Sequence, residues 1–243
     1  MRAVRYQEIA EELRRRIGAG ELTPGRLLPS EAELGAAYAT SRITVRKALE
    51  VLREEGLVES RQGLGWFVPA DPLRQSLGRL GTIEAQLVDA GIASTRLILD
   101  FGFVNAPARV RKVLNARRVL EVRRLNLADG EPFARVTVWC PEALGKRLSL
   151  EDVERQPFYE LLDGALGSAT QTIGAGAAGA SDAELLRVPA GSPVLLCQRT
   201  TRDVDGVPVL HSEHVFPGHR TEFVVDLPLA DRSIAPVGLR LVE

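Results

Sequence analysis

The chain has 243 residues, of which 45% are hydrophobic and 26% charged, with 31 basic against 32 acidic side chains and a formal net charge of −1. This excludes a disordered or collagen-like chain and a short disulfide framework, and the length favours two domains of unequal size. Near-neutrality also means that any nucleic-acid surface must come from local placement of charge. Cys140 and Cys197 lie in apolar runs and read as reduced core residues, with a single disulfide between them left open. The residues after Met1 lack the apolar stretch of a signal peptide, and no run of about eighteen uncharged apolar residues occurs, so a soluble, cytoplasmic protein without membrane contact is expected.

Ile9, Leu13 and Ile17 recur every four residues, which predicts a first helix from Tyr6 to about Ala19. Residues 22–25 form a turn. A second, short helix is expected from Ser30, because Ser30 and Glu33 have the spacing of a reciprocal cap. Ala39 and Thr40 turn into Ser41, a second cap, and Val45, Ala48, Leu49 and Leu52 mark the inward side of a third helix from Arg42 to about Glu55. Two short strands at 57–60 and 66–68 flank the glycine-bearing tip Arg61-Gln62-Gly63-Leu64-Gly65. Three helices and a hairpin make a winged helix-turn-helix over residues 1–69, followed by a linker at 70–77 rich in proline and polar residues.

Residues 78–243 read as a second, α+β domain. The expected elements are a helix over Thr82 to Asp89, a strand at 96–101, a helix at Ala108 to Leu114, and a long hairpin of strands 119–127 and 133–139. A helix at Pro157 to Leu162 and a glycine- and alanine-rich strand edge at 174–180 follow. Ser181 to Glu184 has capping-box spacing and opens a short helix through Arg187; a second hairpin joins 194–201 to 207–216.

The segment from Leu34 to Leu49 contains no acid yet carries Arg42, Arg46 and Lys47 opposite its apolar side. Arg42 and Arg46 are one helical turn apart and project together, as a helix in the major groove requires, where a guanidinium can fork onto guanine. Thr44 can meet a thymine methyl or a phosphate, and the hydroxyls of Ser30 and Ser41 at helix starts suit phosphate oxygens. A basic amphipathic helix by itself is more often a solvated surface. A short helix, a tight turn, this helix and a glycine hairpin in that order point to double-stranded DNA.

Pro24-Gly25, Leu28-Pro29-Ser30-Glu31, Ser41 to Leu49, Glu55 to Val58 and Arg61 to Val68 together resemble the signature of the GntR family of bacterial repressors, over about residues 5–69. The resemblance implies that Arg42, Thr44 and Arg46 meet base edges or phosphates, that Glu31 orients arginine, and that Gly63 and Gly65 let the wing enter the minor groove. Leu64 departs from the basic residue common between those glycines, which shifts wing contact to Arg61 and Gln62. Residues from about Gly78 to Pro228 are similar to the UTRA effector-binding domain of the HutC-type subfamily, with its chorismate-lyase-like fold. The spread markers include Val122 to Leu125, Asp129-Gly130-Glu131-Pro132, Phe158 to Leu162 and Asp205 to Val209.

Such domains bind a small metabolite and dimerise, so the resemblance implies a homodimeric, ligand-responsive repressor on a roughly palindromic operator, without a cofactor. Sugar-phosphate-sensing relatives carry an arginine, a glutamate and a serine where this chain has Asn126, Val136 and Pro157. Arg124 and Tyr159 are kept, so Arg124, Asn126 and Tyr159 are the candidate effector residues, for an anionic metabolite rather than a sugar 6-phosphate. Adjacent Arg123 and Arg124 must point oppositely on a strand, as must His211 and His214; the histidines read as surface or hydrogen-bonded groups rather than metal ligands. The alternatives are a ligand-free architectural DNA-binding protein and a lyase-like enzyme with a DNA-binding head. No nucleophile with its base supports the second.

Overall fold

The computed structural model describes residues 5–70, 72–76, 87, 92–162 and 166–225. The head consists of α1 (Arg5–Gly18), α2 (Glu31–Ala37), α3 (Arg42–Glu54) and a hairpin of β1 (Glu59–Arg61) and β2 (Gly65–Phe67). Its core is the apolar stripe read from the sequence: Ile9 and Leu13 of α1 and Val45, Ala48, Leu49 and Leu52 of α3 are fully buried, together with Leu34, Val58 and Trp66. Ser30 accepts from the Glu33 amide at 3.2 Å while the Ser30 amide donates to the Glu33 carboxylate at 2.7 Å, so α2 begins where that reciprocal cap dictates.

The body is built on one antiparallel sheet of six strands: β4 (Ser94–Asn105), β5 (Arg118–Ala128), β6 (Glu131–Pro141), β7 (Leu166–Ala177), β8 (Pro193–Asp203) and β9 (Pro208–Pro217), in the order β4-β5-β6-β9-β8-β7. Helices α4 (Ala108–Leu114) and α8 (Ala180–Leu186) cover one face, packing on Val119 and Trp139 and on Leu125 and Val215 respectively. The opposite face presents Leu120, Val122, Val136, Val138, Cys197 and Phe216 to a larger core closed in part by α6 (Leu150–Arg155) and α7 (Phe158–Leu161), with α5 (Glu142–Gly145) alongside. Because side chains alternate along a strand, odd-numbered residues of mid-β5 and β6 serve the first face and even-numbered ones the second. Cys140 and Cys197 are free and buried, and burial pushes both thiols up to about 12, so they pack as inert apolar groups.

Several expectations are corrected. The second half of the expected linker forms a strand, β3 (Leu73–Ser76), paired in parallel with β10 (Thr221–Val224); neither strand has the length or alternation to announce itself. Helix α8 starts at Ala180 with Gly179 as its cap and no side-chain capping bond, so Ser181 to Glu184 is not a capping box; Asp182 instead takes a bidentate bond from Arg135. Pro157 precedes α7 as its cap rather than lying inside it. Strands β4 and β7 extend well beyond the spans expected for them. The helix expected over Thr82 to Asp89 lies outside the described residues except for Leu87, which is helical and buried.

The core assignment has a direct check. Leu49→Ala removes a fully buried side chain of α3 and is expected to cost about 2–5 kcal/mol. Ile43→Ala on the same helix, 82% exposed, should stay within about 0.5 kcal/mol. Urea unfolding followed by a probe in the head separates the two.

Candidate nucleic-acid interface and effector site

In the head, a single carboxylate joins three elements. Arg46 Nε and Nη2 of α3 donate to Glu31 Oε1 and Oε2 of α2 at 2.9 and 2.8 Å, and the Trp66 indole N–H of the wing donates to Glu31 Oε1 at 3.2 Å. These bonds, Arg46 first, hold the Glu31 carboxyl below its usual range despite partial burial. The fork fixes the guanidinium plane while leaving Arg46 on the surface, its side chain 61% exposed. Arg42, one turn earlier, is exposed.

The hydroxyls at the helix starts are already engaged in capping. Ser41 Oγ accepts from the Thr44 amide at 3.2 Å and lies 3.0 Å from Thr44 Oγ1, while the Ser30 hydroxyl donates to Glu33 at 2.7 Å. Lys47 leans away from the arginines over the Tyr6 ring, 4.5 Å from its centroid. At the wing, Gly63 and Gly65 have φ of 77° and 101°, the left-handed region that glycine occupies freely, and Gln62 is exposed. Arg61 lies over Phe67 at 5.5 Å. Leu64 is only 6% exposed, so the residue at the tip turns inward rather than outward.

In the body, the two faces of the sheet treat charge differently. On the face bearing α4 and α8, charges meet acids: Arg109 with Glu213 at 2.6 Å and Arg135 with Asp182 at 2.8 Å. Trp139 donates to Glu121 on the same side at 2.7 Å. The other face gathers Arg124 and Asn126 of β5, 6% and 2% exposed, with His214 and Ser212 of β9 and Arg199 of β8. Arg199 is held by neutral partners, Gln171 Oε1 at 2.7 Å and the Tyr159 hydroxyl at 3.0 Å, and Tyr159 lies 3.4 Å from Thr201 Oγ1. Arg124, Asn126 and Tyr159 therefore reach one face, with Arg199 and His214 between them. These last two escape sequence reasoning, because cross-strand register brings them there and no local pattern reports it.

His214 is driven down to about 3, first by burial and then by Arg199, Arg124 and Arg135, so it is neutral in the folded chain. Its Nε2 lies 3.0 Å from Ser212 Oγ. On the opposite face His211 stacks on Trp139 at 5.9 Å and meets Thr200 at 3.1 Å. His211 is buried and His214 half-buried, and both are hydrogen-bonded groups rather than surface ones. Val136, beside Arg124 in register, is fully buried.

Comparison with known proteins settles the family. Residues 5–68 match the bacterial regulatory proteins of the gntR family, and residues 89–222 match the UTRA domain. The chain is a member of the GntR family. The HTH-type transcriptional regulator Rv0792c of Mycobacterium tuberculosis is 34% identical, covering 97% of this chain and 89% of its own. The repressor NagR of Bacillus subtilis is 29% identical over 90% and 93%. PhnF from Mycobacterium smegmatis superposes with a TM-score of 0.61 at 26% identity, covering 91% of this chain and 99% of its own. This GntR-family chain is thus a transcription regulator of the HutC subfamily, with a DNA-binding head and an effector-binding body; relatives of this kind are regulators, not enzymes.

Two outcomes follow. Glu31→Gln, although it removes a negative charge beside the exposed arginines of α3, is expected to weaken binding to a specific site roughly tenfold while leaving random-sequence binding no weaker, by anisotropy at matched salt. A histidine held neutral takes no proton when folded but does when unfolded, so its contribution is intact above about pH 6.5 and is lost as pH falls toward 3. His214→Gln should therefore flatten the acid limb of stability against pH by up to about 1.4 kcal/mol per pH unit, read by urea titrations between pH 4 and 7.

Proposed function

We propose that this regulator is a homodimeric repressor that binds a roughly palindromic operator with one α3 in each half-site and is released by a small anionic metabolite bound in the body. The carrying observation is the fork of Arg46 onto Glu31, which presents Arg46 beside exposed Arg42 on a helix with no acid of its own before Glu50. A guanidinium held in one plane costs little ordering entropy on reaching a base edge. Ser30, whose hydroxyl and amide both donate to Glu33, only sets where α2 begins; Lys47 and the one hydroxyl proton that the Ser41–Thr44 pair leaves free contribute phosphate contacts that set register, and Arg61 with Gln62 extends from the wing. Two folds of symmetry then match two half-sites one helical turn apart. Repression is also the role of the relative NagR.

The effector reading rests on buried Arg124 and Asn126 sharing one sheet face with half-buried Arg199, Tyr159 and neutral His214. Two guanidinium groups in a low-dielectric site favour a carboxylate or phosphate, and a bound anion also favours protonation of His214. Effector binding acts by shifting the population of head arrangements that fit adjacent major grooves.

Selection of genomic fragments by the purified protein at physiological salt, then footprinting, should yield an inverted repeat upstream of a transport or catabolic operon. In that complex Arg42→Ala or Arg46→Ala should weaken binding roughly ten- to hundredfold. Arg124→Ala should spare binding and abolish release by the effector. Unchanged operator affinity in both head variants would remove the recognition-helix assignment.

A further inference from the structure

The strand-like segment before α2 lies against the wing and then against the body. Val68 and Arg26 exchange backbone bonds with their neighbours (Gly25 N to Val68 O at 2.8 Å, Val68 N to Arg26 O at 3.1 Å), and Leu27 packs on the core under α8. From the body, His219 meets Phe67 edge to face at 5.7 Å, and Arg220 donates to the Pro132 carbonyl at 2.9 Å. Gly25 is indispensable here for two reasons: its φ is +77°, and a Cβ would lie 3.0 Å from Arg220 Nε.

Between these contacts is a cleft of about 280 Å³, lined by Arg26 of the head and by Glu131, Arg187, His219 and Arg220 of the body. We propose that this cleft is a second ligand site, separate from the Arg124 face, which takes a small molecule through a carboxylate or phosphate group.

The charge balance supports an anion. Three guanidinium groups face one carboxylate, and that carboxylate is shared loosely, 3.4 Å from Arg187 and 4.0 Å from Arg26, where a tight charge-assisted bond is about 2.7–2.9 Å. Arg220 is the most enclosed of the three; burial lowers its pKa, the sign of a cation short of compensation. His219 is depressed to about 4, by burial first and then by Arg220, so it is neutral, and its Nε2 is buried without a hydrogen-bond partner among the described residues. A neutral imidazole nitrogen beside cations suits a ligand hydroxyl or an acidic proton next to the anionic group. The volume lies at the small end of ligand pockets, which run from about 300 Å³, and so suits a molecule well short of nucleotide size. Arg26 comes from the head and the other cations from the body, so the site is complete only when the two are docked, and its occupant fastens one to the other.

Orthophosphate and malonate serve as probes, titrated calorimetrically into the full chain at constant ionic strength. In an Arg124→Gln background each chain should still bind one anion, and adding Arg26→Gln or Arg187→Gln should weaken that binding at least tenfold. Both side chains are about half exposed, at 48% and 54%, so the fold should tolerate these changes. In the otherwise wild-type chain the same two substitutions should each remove one anion per chain, which decides the matter without relying on the Arg124 variant. Which probe binds identifies the group as phosphate or carboxylate. Failure of both to bind saturably, or binding that Arg26→Gln and Arg187→Gln leave unchanged, overturns the proposal.

Discussion

The geometry of the head turns on one carboxylate. Glu31 is the point where α2, α3 and the wing are joined, through Arg46 on one side and the Trp66 indole on the other. A bidentate pair of this sort is valuable for direction more than for stability, since Arg46 is exposed and water screens the attraction. Its effect is to convert a long, floppy cation into a planar group with a fixed outlook. The caps at Ser30 and Ser41 do comparable work for the backbone, setting where each helix begins and hence which residues share a face.

The body solves a different problem with the same chemistry. A six-stranded sheet has two faces, and each carries arginines at mid-strand. On the helix-covered face Asp182 of α8 neutralises Arg135 of β6, and Glu213 of β9 takes Arg109 of the covering helix α4. On the other, Arg199 is satisfied by an amide and a phenol, groups that orient a guanidinium without cancelling its charge. Burial first, and then the nearby cations Arg199, Arg124 and Arg135, keep His214 without its proton.

Much of the head is legible from local sequence, because capping residues, apolar periodicity and glycines at positive φ act over a few residues. The edges of α1, α2 and α3 follow from those signals to within a residue or two. Arg124 and Asn126 share a face by the two-residue period of a strand, which is again local. What local patterns do not encode is partnership. The β3 and β10 pairing joins segments about 150 residues apart, Arg199 and His214 reach Arg124 only through the strand order, and Leu64 turns inward for packing reasons that its neighbours do not announce. Ser181 misleads for the opposite reason: the spacing of a cap is present, but the helix already begins at Ala180 with Gly179 as its cap, so Ser181 lies inside the first turn.

The pairing of β3 with β10 leaves very little slack between head and body. Only residues 68–72 separate the end of β2 from the anchored strand β3, and five residues at full stretch reach about 17 Å. Successive half-sites on one face of DNA lie about 34 Å apart. A leash this short gives a head little room to move away from its body, so in the dimer proposed above the distance between the two heads would follow from how the bodies meet, a ruler for the operator rather than a tether.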